Sequence, residues 1–297
     1  STLGNSRMNG YNRCGLVMLV LPILLLVGCV TPPLEPEAPE LVKKSDVALD
    51  LESMPPPKGR IMASVYSFRD LTGQYRPAPS SSFSTAVTQG AAAFLIDALN
   101  RSGWFLTLER EGLQDLLTER KIARAVVEKR QKEGVRVADV PDLFSSDILF
   151  QGGIVAYESN IKTGGLGARY LGVGASEQYR TDQVTVNLRA VDVRTGRIIN
   201  TVSTRKTIYS KELQVGVYRY IDFKELLETE AGVTTNEPVQ QCVKLAIEAA
   251  VAHLIVKGVM DGNWQLENPA DMDSEVIKQY GLALRGETLE TSGRRDR

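Results

Sequence analysis

The sequence predicts an α+β domain that follows an export signal and a proline-rich tether and carries two stretches suited to transmembrane β-hairpins. Three observations lead there. Strand-type alternation and helix-type periodicity succeed one another from Arg60 to Leu284. A short apolar run closes on Leu26-Val27-Gly28-Cys29. Two glycine- and tyrosine-bearing stretches, 161–181 and 211–231, fit neither periodicity.

The apolar run from Leu16 to Val27 contains Pro22 and is shorter than the ~20 residues of a spanning helix. Arg13 before it supplies the positive start of a secretory signal, and Met8 begins a signal of ordinary length. A small residue before Cys29 and a leucine three back form the pattern at which bacteria cleave and lipidate an exported protein. Residues 1–28 are therefore expected as signal peptide, with Cys29 carrying acyl chains worth ~0.8 kcal/mol per buried methylene. Val30 is not the aspartate associated with inner-membrane retention, so outer-membrane lipid is the expected partner. No other cofactor is expected. Residues 29–59, rich in proline and acid, read as an extended tether.

The domain is expected over 60–285. Ile61, Ala63 and Val65 alternate with Met62, Ser64 and Tyr66 as a strand covered on both faces. Asp70 to Phe83 is a loop, with Pro77, Pro79 and three serines. A helix is expected from Ser84, carrying Val87, Ala91, Leu95, Ala98 and Leu99 and ending at Gly103. Trp104 to Leu108 is a short strand. Gly112 to Lys132 is a helix with Leu113, Leu116, Leu117, Ile122 and Val126 as its stripe. Asp147 to Tyr157 is a buried strand. Two further strands, through Val184–Val191 and Arg197–Val202, flank a turn at Arg194-Thr195-Gly196. Asn236 and Pro238 open a helix whose stripe from Val239 to Leu254 stops at Gly258. Asp271 to Leu284 is a last amphipathic helix, and 286–297 a disordered tail.

With 35 basic and 36 acidic residues the chain has no global field for nucleic acid, and no nucleic-acid partner is expected. Cys14 lies in the signal and Cys29 at the lipid site, so Cys242 has no internal disulfide partner and reads as a buried, inert thiol. His253, the single histidine, has no nucleophile near it in sequence and reads as structural. The glycines at 165 and 167 begin a dinucleotide fingerprint that Tyr170 breaks. No phosphate loop is present. No catalytic residue, metal site or enzymatic activity is expected.

Each odd stretch is 21 residues, about twice the ~9–11 that carry a tilted strand across a bilayer. In the second, Leu213, Val215, Val217, Ile221 and Phe223 alternate with Glu212, Gln214, Gly216 and Asp222, with Arg219, Tyr218 and Tyr220 breaking the frame, as a bulge or as residues with an interfacial role would. Two hairpins cannot close a barrel, and open edges in lipid leave backbone groups unpaired at several kcal/mol each, so such a barrel would be shared among copies. On spacing alone, long flexible hairpin loops of a soluble domain serve equally well.

Along the chain lie Ser64-Val65-Tyr66, Thr72-Gly73-Gln74, Phe83-Ser84-Thr85-Ala86-Val87, Leu108-Glu109-Arg110, Glu119-Arg120-Lys121-Ile122, Gly167-Ala168-Arg169-Tyr170 and Asn236-Glu237-Pro238-Val239. In this order and spacing they resemble the CsgG family, outer-membrane lipoprotein channels that secrete curli amyloid subunits. The resemblance implies a periplasmic α/β domain with two β-hairpins contributed to a shared oligomeric transmembrane β-barrel. It implies a homo-oligomer forming a nine-fold ring, unfolded curli-type subunits as cargo, and periplasmic and surface curli accessory proteins as partners. The family's constriction of tyrosine, asparagine and phenylalanine falls on Ala78, Ser82 and Phe83, of which only Phe83 is kept. Taken by itself, Phe83 reads as the hydrophobic staple of a helix starting at Ser84. By the resemblance it lines the pore. Glu212, Asp222, Glu228 and Glu230 are candidate lumen charges, with solvated loop tips as their other reading. The rival function is a monomeric periplasmic lipoprotein that binds peptide or envelope components.

Overall fold

A computed structural model describes residues 41, 44–75, 85–164, 177–214, 217–221 and 238–286. The unit from Lys44 onward is built on one six-stranded mixed sheet in the order β2-β1-β3-β4-β5-β6. β1 (Ile61–Asp70) runs parallel to β2 (Phe105–Leu108) and to β3 (Ile148–Gly164). β4 (Glu177–Asp192), β5 (Ile198–Gln214) and β6 (Val217–Ile221) follow as an antiparallel meander. The turn expected at Thr195-Gly196 joins β4 to β5. Asp192 Oδ1 accepts from Thr195 N at 2.8 Å and Thr195 Oγ1 at 2.9 Å, and Gly196 supplies φ +71°.

Helices cover one face of the sheet: α1 (Asp46–Glu52), α2 (Ala91–Arg101), α4 (Pro238–Met260) and α5 (Glu275–Leu284). α4 is apolar on nearly every side and correspondingly buried, from Cys242 through Ile247 and Val251 to Val256. No helix among the described residues is long and apolar enough to cross a membrane. At one end of the core Trp104, Phe105, Phe150 and Trp264 pack with ring centroids 5.0–6.3 Å apart.

Four expectations are corrected. The tether expected over 29–59 gives way to the folded body at Lys44. Ser45 caps α1 by accepting from Ala48 N at 2.9 Å, and Ala48, Leu51 and Met54 are buried at three-residue spacing. The prolines that argued for a tether dock through their carbonyls, Pro55 accepting from the Trp104 indole at 2.9 Å and Pro56 from Glu267 N at 2.9 Å. The helix expected from Ser84 starts only at Ala91, because Thr88 Oγ1 accepts from Gly90 N at 3.1 Å and forms a turn ahead of it. Ala86 and Val87 are buried in this non-helical segment.

The other two corrections concern glycine and periodicity. Gly258 does not stop α4, which continues to Met260; a Cβ there would lie 2.2 Å from Trp264 Cε3, so the glycine makes room for the indole. The stripe of α3 (Leu113–Lys132) divides between two faces, since five residues from Leu117 to Ile122 turn the helix about 140°. Leu113, Leu116 and Val127 are half-buried, while Ile122 and Val126 are exposed. No residue of α3 is buried. Arginines fasten it to the returning segment 135–146: Arg110 donates to Phe144 O at 2.6 Å and Arg120 to Pro141 O, while Arg124 lies 3.6 Å from Asp142.

Candidate functional site

The sheet is much longer than its helical cover. On β4, Val184, Val186, Leu188 and Ala190 are fully buried beneath the helices, matched by Phe150, Ile154 and Tyr157 on β3 and by Val202, Thr204 and Ile208 on β5. The cover ends at Tyr157 and Asp182, whose hydroxyl and carboxylate meet at 2.8 Å inside the protein. Beyond this point β3 continues from Glu158 to Gly164, roughly 20 Å of strand. The β3–β4 ladder stays in register out to Gly164 opposite Glu177, and β4–β5 out to Tyr179 opposite Lys211. The described parts of both odd stretches are thus paired strands continuous with the core sheet.

This extension has two open sides. Past Ile154 no described strand pairs with the outer side of β3, because β1 ends at Asp70. None pairs with the outer side of β6. Of the candidate lumen carboxylates, Glu212 stands opposite Tyr218 in the β5–β6 ladder. Lys211 stands opposite both Tyr179 and Arg219. The β5–β6 ladder carries a register shift between Glu212 and Gln214. Asp222, Glu228 and Glu230 lie outside the described residues, as does Cys29.

The loop after β1 is held at the foot of this extension. Leu71 N donates to Ile154 O at 2.9 Å, joining the loop to β3 where β1 leaves the sheet. Asp70 Oδ1 accepts from Thr72 N at 2.8 Å and Thr72 Oγ1 at 2.7 Å, a tight turn that starts the loop. Its two ends are tied by a bridge between Tyr75 and Thr85 and by Ala86 N donating to Gln74 O at 2.8 Å. Ala78, Ser82 and Phe83 fall in the segment 76–84 closed by this neck, outside the described residues. The staple reading of Phe83 fails: α2 begins at Ala91 behind Gly90, so Phe83 does not flank a helix start.

The titratable groups of the body do structural work. Cys242 is buried with Sγ 3.5 Å from Asp182 O, and desolvation with the charge of Asp182 pushes its thiol up to about 12. It is not a thiolate nucleophile at neutral pH. His253 packs edge-on against Tyr280 at 4.8 Å, and burial holds its imidazole below the usual range. Among the described residues no cluster of His, Cys, Asp or Glu is arranged to hold a metal ion. Sequence reasoning missed Glu248, buried on α4 and hydrogen-bonded at 2.5 Å to the Ser45 hydroxyl, with burial pushing its carboxyl above the usual range. A glutamate amid the Ala246-Ile247 and Ala249-Ala250 pairs was the available signal.

These features define an α+β protein whose sheet serves both a helix-covered core and a four-stranded extension with two sides unpaired among the described residues. The family model described as "Curli production assembly/transport component CsgG" matches residues 44–284. The chain belongs to the CsgG family. It is 47% identical over 265 residues to the curli production assembly/transport component CsgG of Salmonella typhimurium, covering 89% of this chain and 96% of that one. The same identity and coverage hold for the protein of that description from Escherichia coli K12. Among solved structures, a PelC dodecamer from Paraburkholderia phytofirmans aligns over 67% of this chain and 91% of its own at 11% identity. Its TM-score of 0.27 is too low to carry an argument.

Proposed function

We propose that this chain is a component of curli production and transport, and specifically the subunit of an outer-membrane channel that secretes unfolded amyloid subunits. Family membership supports the first part, because the relatives it matches across almost their whole length bear that description. The single observation supporting the second is that no described strand pairs with either outer side of the β3–β6 extension. In hydrocarbon an unpaired backbone group costs several kcal/mol, and identical copies placed edge to edge satisfy both sides at once. Four strands per copy in a ring, nine-fold by the family resemblance, form one wide barrel, while acyl chains on Cys29 hold each copy to the membrane.

Transport through such a barrel is diffusive. An unfolded chain needs a wet, weakly binding wall, which glycines and the scattered carboxylates Glu212, Asp222, Glu228 and Glu230 provide. By the family resemblance Phe83, with the smaller Ala78 and Ser82, lines the narrowest point. Binding of the cargo to nucleotide-driven machinery is not required, because direction follows from the cargo gradient and capture outside.

The test is conductance of the purified, lipidated protein in planar bilayers, combined with images of detergent-extracted particles. Large stable pores and rings with a central lumen are the expected result. A stable monomer that never conducts overturns the channel and favours a peptide-binding lipoprotein.

A further inference from the structure

α3 is a 20-residue helix, about 30 Å long, that packs substantially against no other described helix or strand. Helices of this kind are marginal in water unless a face is buried. With the returning segment it nevertheless shows six large apolar side chains at 38–63% exposure: Leu117, Ile122, Val126, Val135, Leu143 and Phe144. Its charge is one-sided. From Arg120 to Lys132 it carries Arg120, Lys121, Arg124, Lys129, Arg130 and Lys132 against Glu128 alone. Lys121, Lys129 and Arg130 make no ion pair among the described residues.

Elsewhere on the body, the segment after α4 has the complementary character. From Asp261 to Glu275 it carries Asp261, Glu267, Asp271, Asp273 and Glu275 and no lysine or arginine. It borders an open groove of about 520 Å³ whose apolar lining is Val259, Leu266, Pro269 and Met272, with Glu267 and Lys58 at its rim. Met272 is 40% exposed. Ile122 and Val126, one helical turn apart, present a pair of aliphatic side chains of the kind such a groove covers.

We propose that the α3 arm of one copy docks in the Val259–Met272 groove of the next, with Ile122 and Val126 in the groove and Lys129 and Arg130 against Glu267 and Asp271. This rests on the assembly proposed above and names its contact within the body of the protein. Donor and acceptor are different surfaces, so the contact is head-to-tail, and head-to-tail contacts generate rings when the rotation closes. The apolar pair drives association and the charges fix register and exclude like-charged approaches.

Disulfide trapping in the full-length protein tests it. Val126→Cys combined with Met272→Cys is expected to give, under mild oxidation, a ladder of covalent multiples on a non-reducing gel, absent from either single variant. Lys129→Glu with Arg130→Glu is expected to lower the assembled fraction about tenfold at fixed concentration. Adding Glu267→Lys and Asp271→Lys is expected to restore it. All these side chains are exposed or half-exposed, and tryptophan fluorescence checks that each variant is folded. Rings that form without cross-linking and ignore charge reversal overturn this contact while leaving the ring itself standing. An unmodified chain that neither assembles nor conducts overturns both.

Discussion

Gly258 is where a one-methyl change separates two accounts of the same helix. In Gly258→Ala the new Cβ would sit 2.2 Å from Trp264 Cε3 and 2.7 Å from Cδ2 and Cζ3, so the indole must move. It has little room, because it packs on Phe105 at 5.5 Å and Trp104 at 6.3 Å. Its backbone is also tied down, with Trp264 N donating to Gly258 O at 3.0 Å. Overpacking of this kind costs about 1–3 kcal/mol. Alanine's advantage inside a helix returns roughly 1 kcal/mol, leaving a net loss of up to about 2 kcal/mol. The chain's two tryptophans, 104 and 264, both lie in this cluster, so intrinsic fluorescence during denaturant unfolding reads the site directly. The midpoint is expected to fall in Gly258→Ala, with the emission maximum shifted in the folded state. In a Trp264→Ala background the same substitution is expected to be neutral or stabilising. A loss of equal size in both backgrounds would refute the steric account and restore the helix-stop reading.

Glu248 gives a pH dependence. Because burial holds its folded-state carboxyl above the unfolded value, the unfolded chain releases this proton first as pH rises, and stability falls from the unfolded value upward through the folded one. Ser45, Lys244, Arg101 and Asp97 are the groups that surround it. Glu248→Gln is expected to flatten that part of a denaturation-versus-pH profile and to raise stability at neutral pH; an unchanged profile would show that the carboxyl is solvated. Cys242, with its thiol near 12, is expected to resist alkylation at pH 8 in the native protein and to react on unfolding, as read by mass spectrometry. Phe83→Ala is expected to raise single-channel conductance and leave assembly intact; unchanged conductance would remove Phe83 from the constriction.

Much of the architecture was legible because it is written in local periods. The β1 alternation, the α4 stripe and the Thr195-Gly196 turn each appear where the pattern put them. The failures share a cause. Ala48, Leu51 and Met54 form too short an apolar pattern to outweigh the surrounding prolines, and the Ser45 cap and docking against α4 make α1 a helix. The start of α2 was misplaced because Val87 is buried without being helical, and burial alone does not specify conformation. The α3 stripe failed on arithmetic: its leucines and its Ile122–Val126 pair are out of phase by more than a third of a turn.

By itself the sequence carried most of the element types, the family resemblance, and the presence of two stretches that fit neither helical nor strand periodicity. Those follow from chemistry carried by neighbours along the chain, where composition and spacing are sufficient. Only the tertiary structure decided that the described parts of both stretches extend the core sheet in register, that no described strand pairs with the two outer sides of this extension, and that α3 packs on no other described helix or strand. An edge is the absence of a neighbour in space. Nothing in the spacing of residues along a chain records which backbone groups will be left without one.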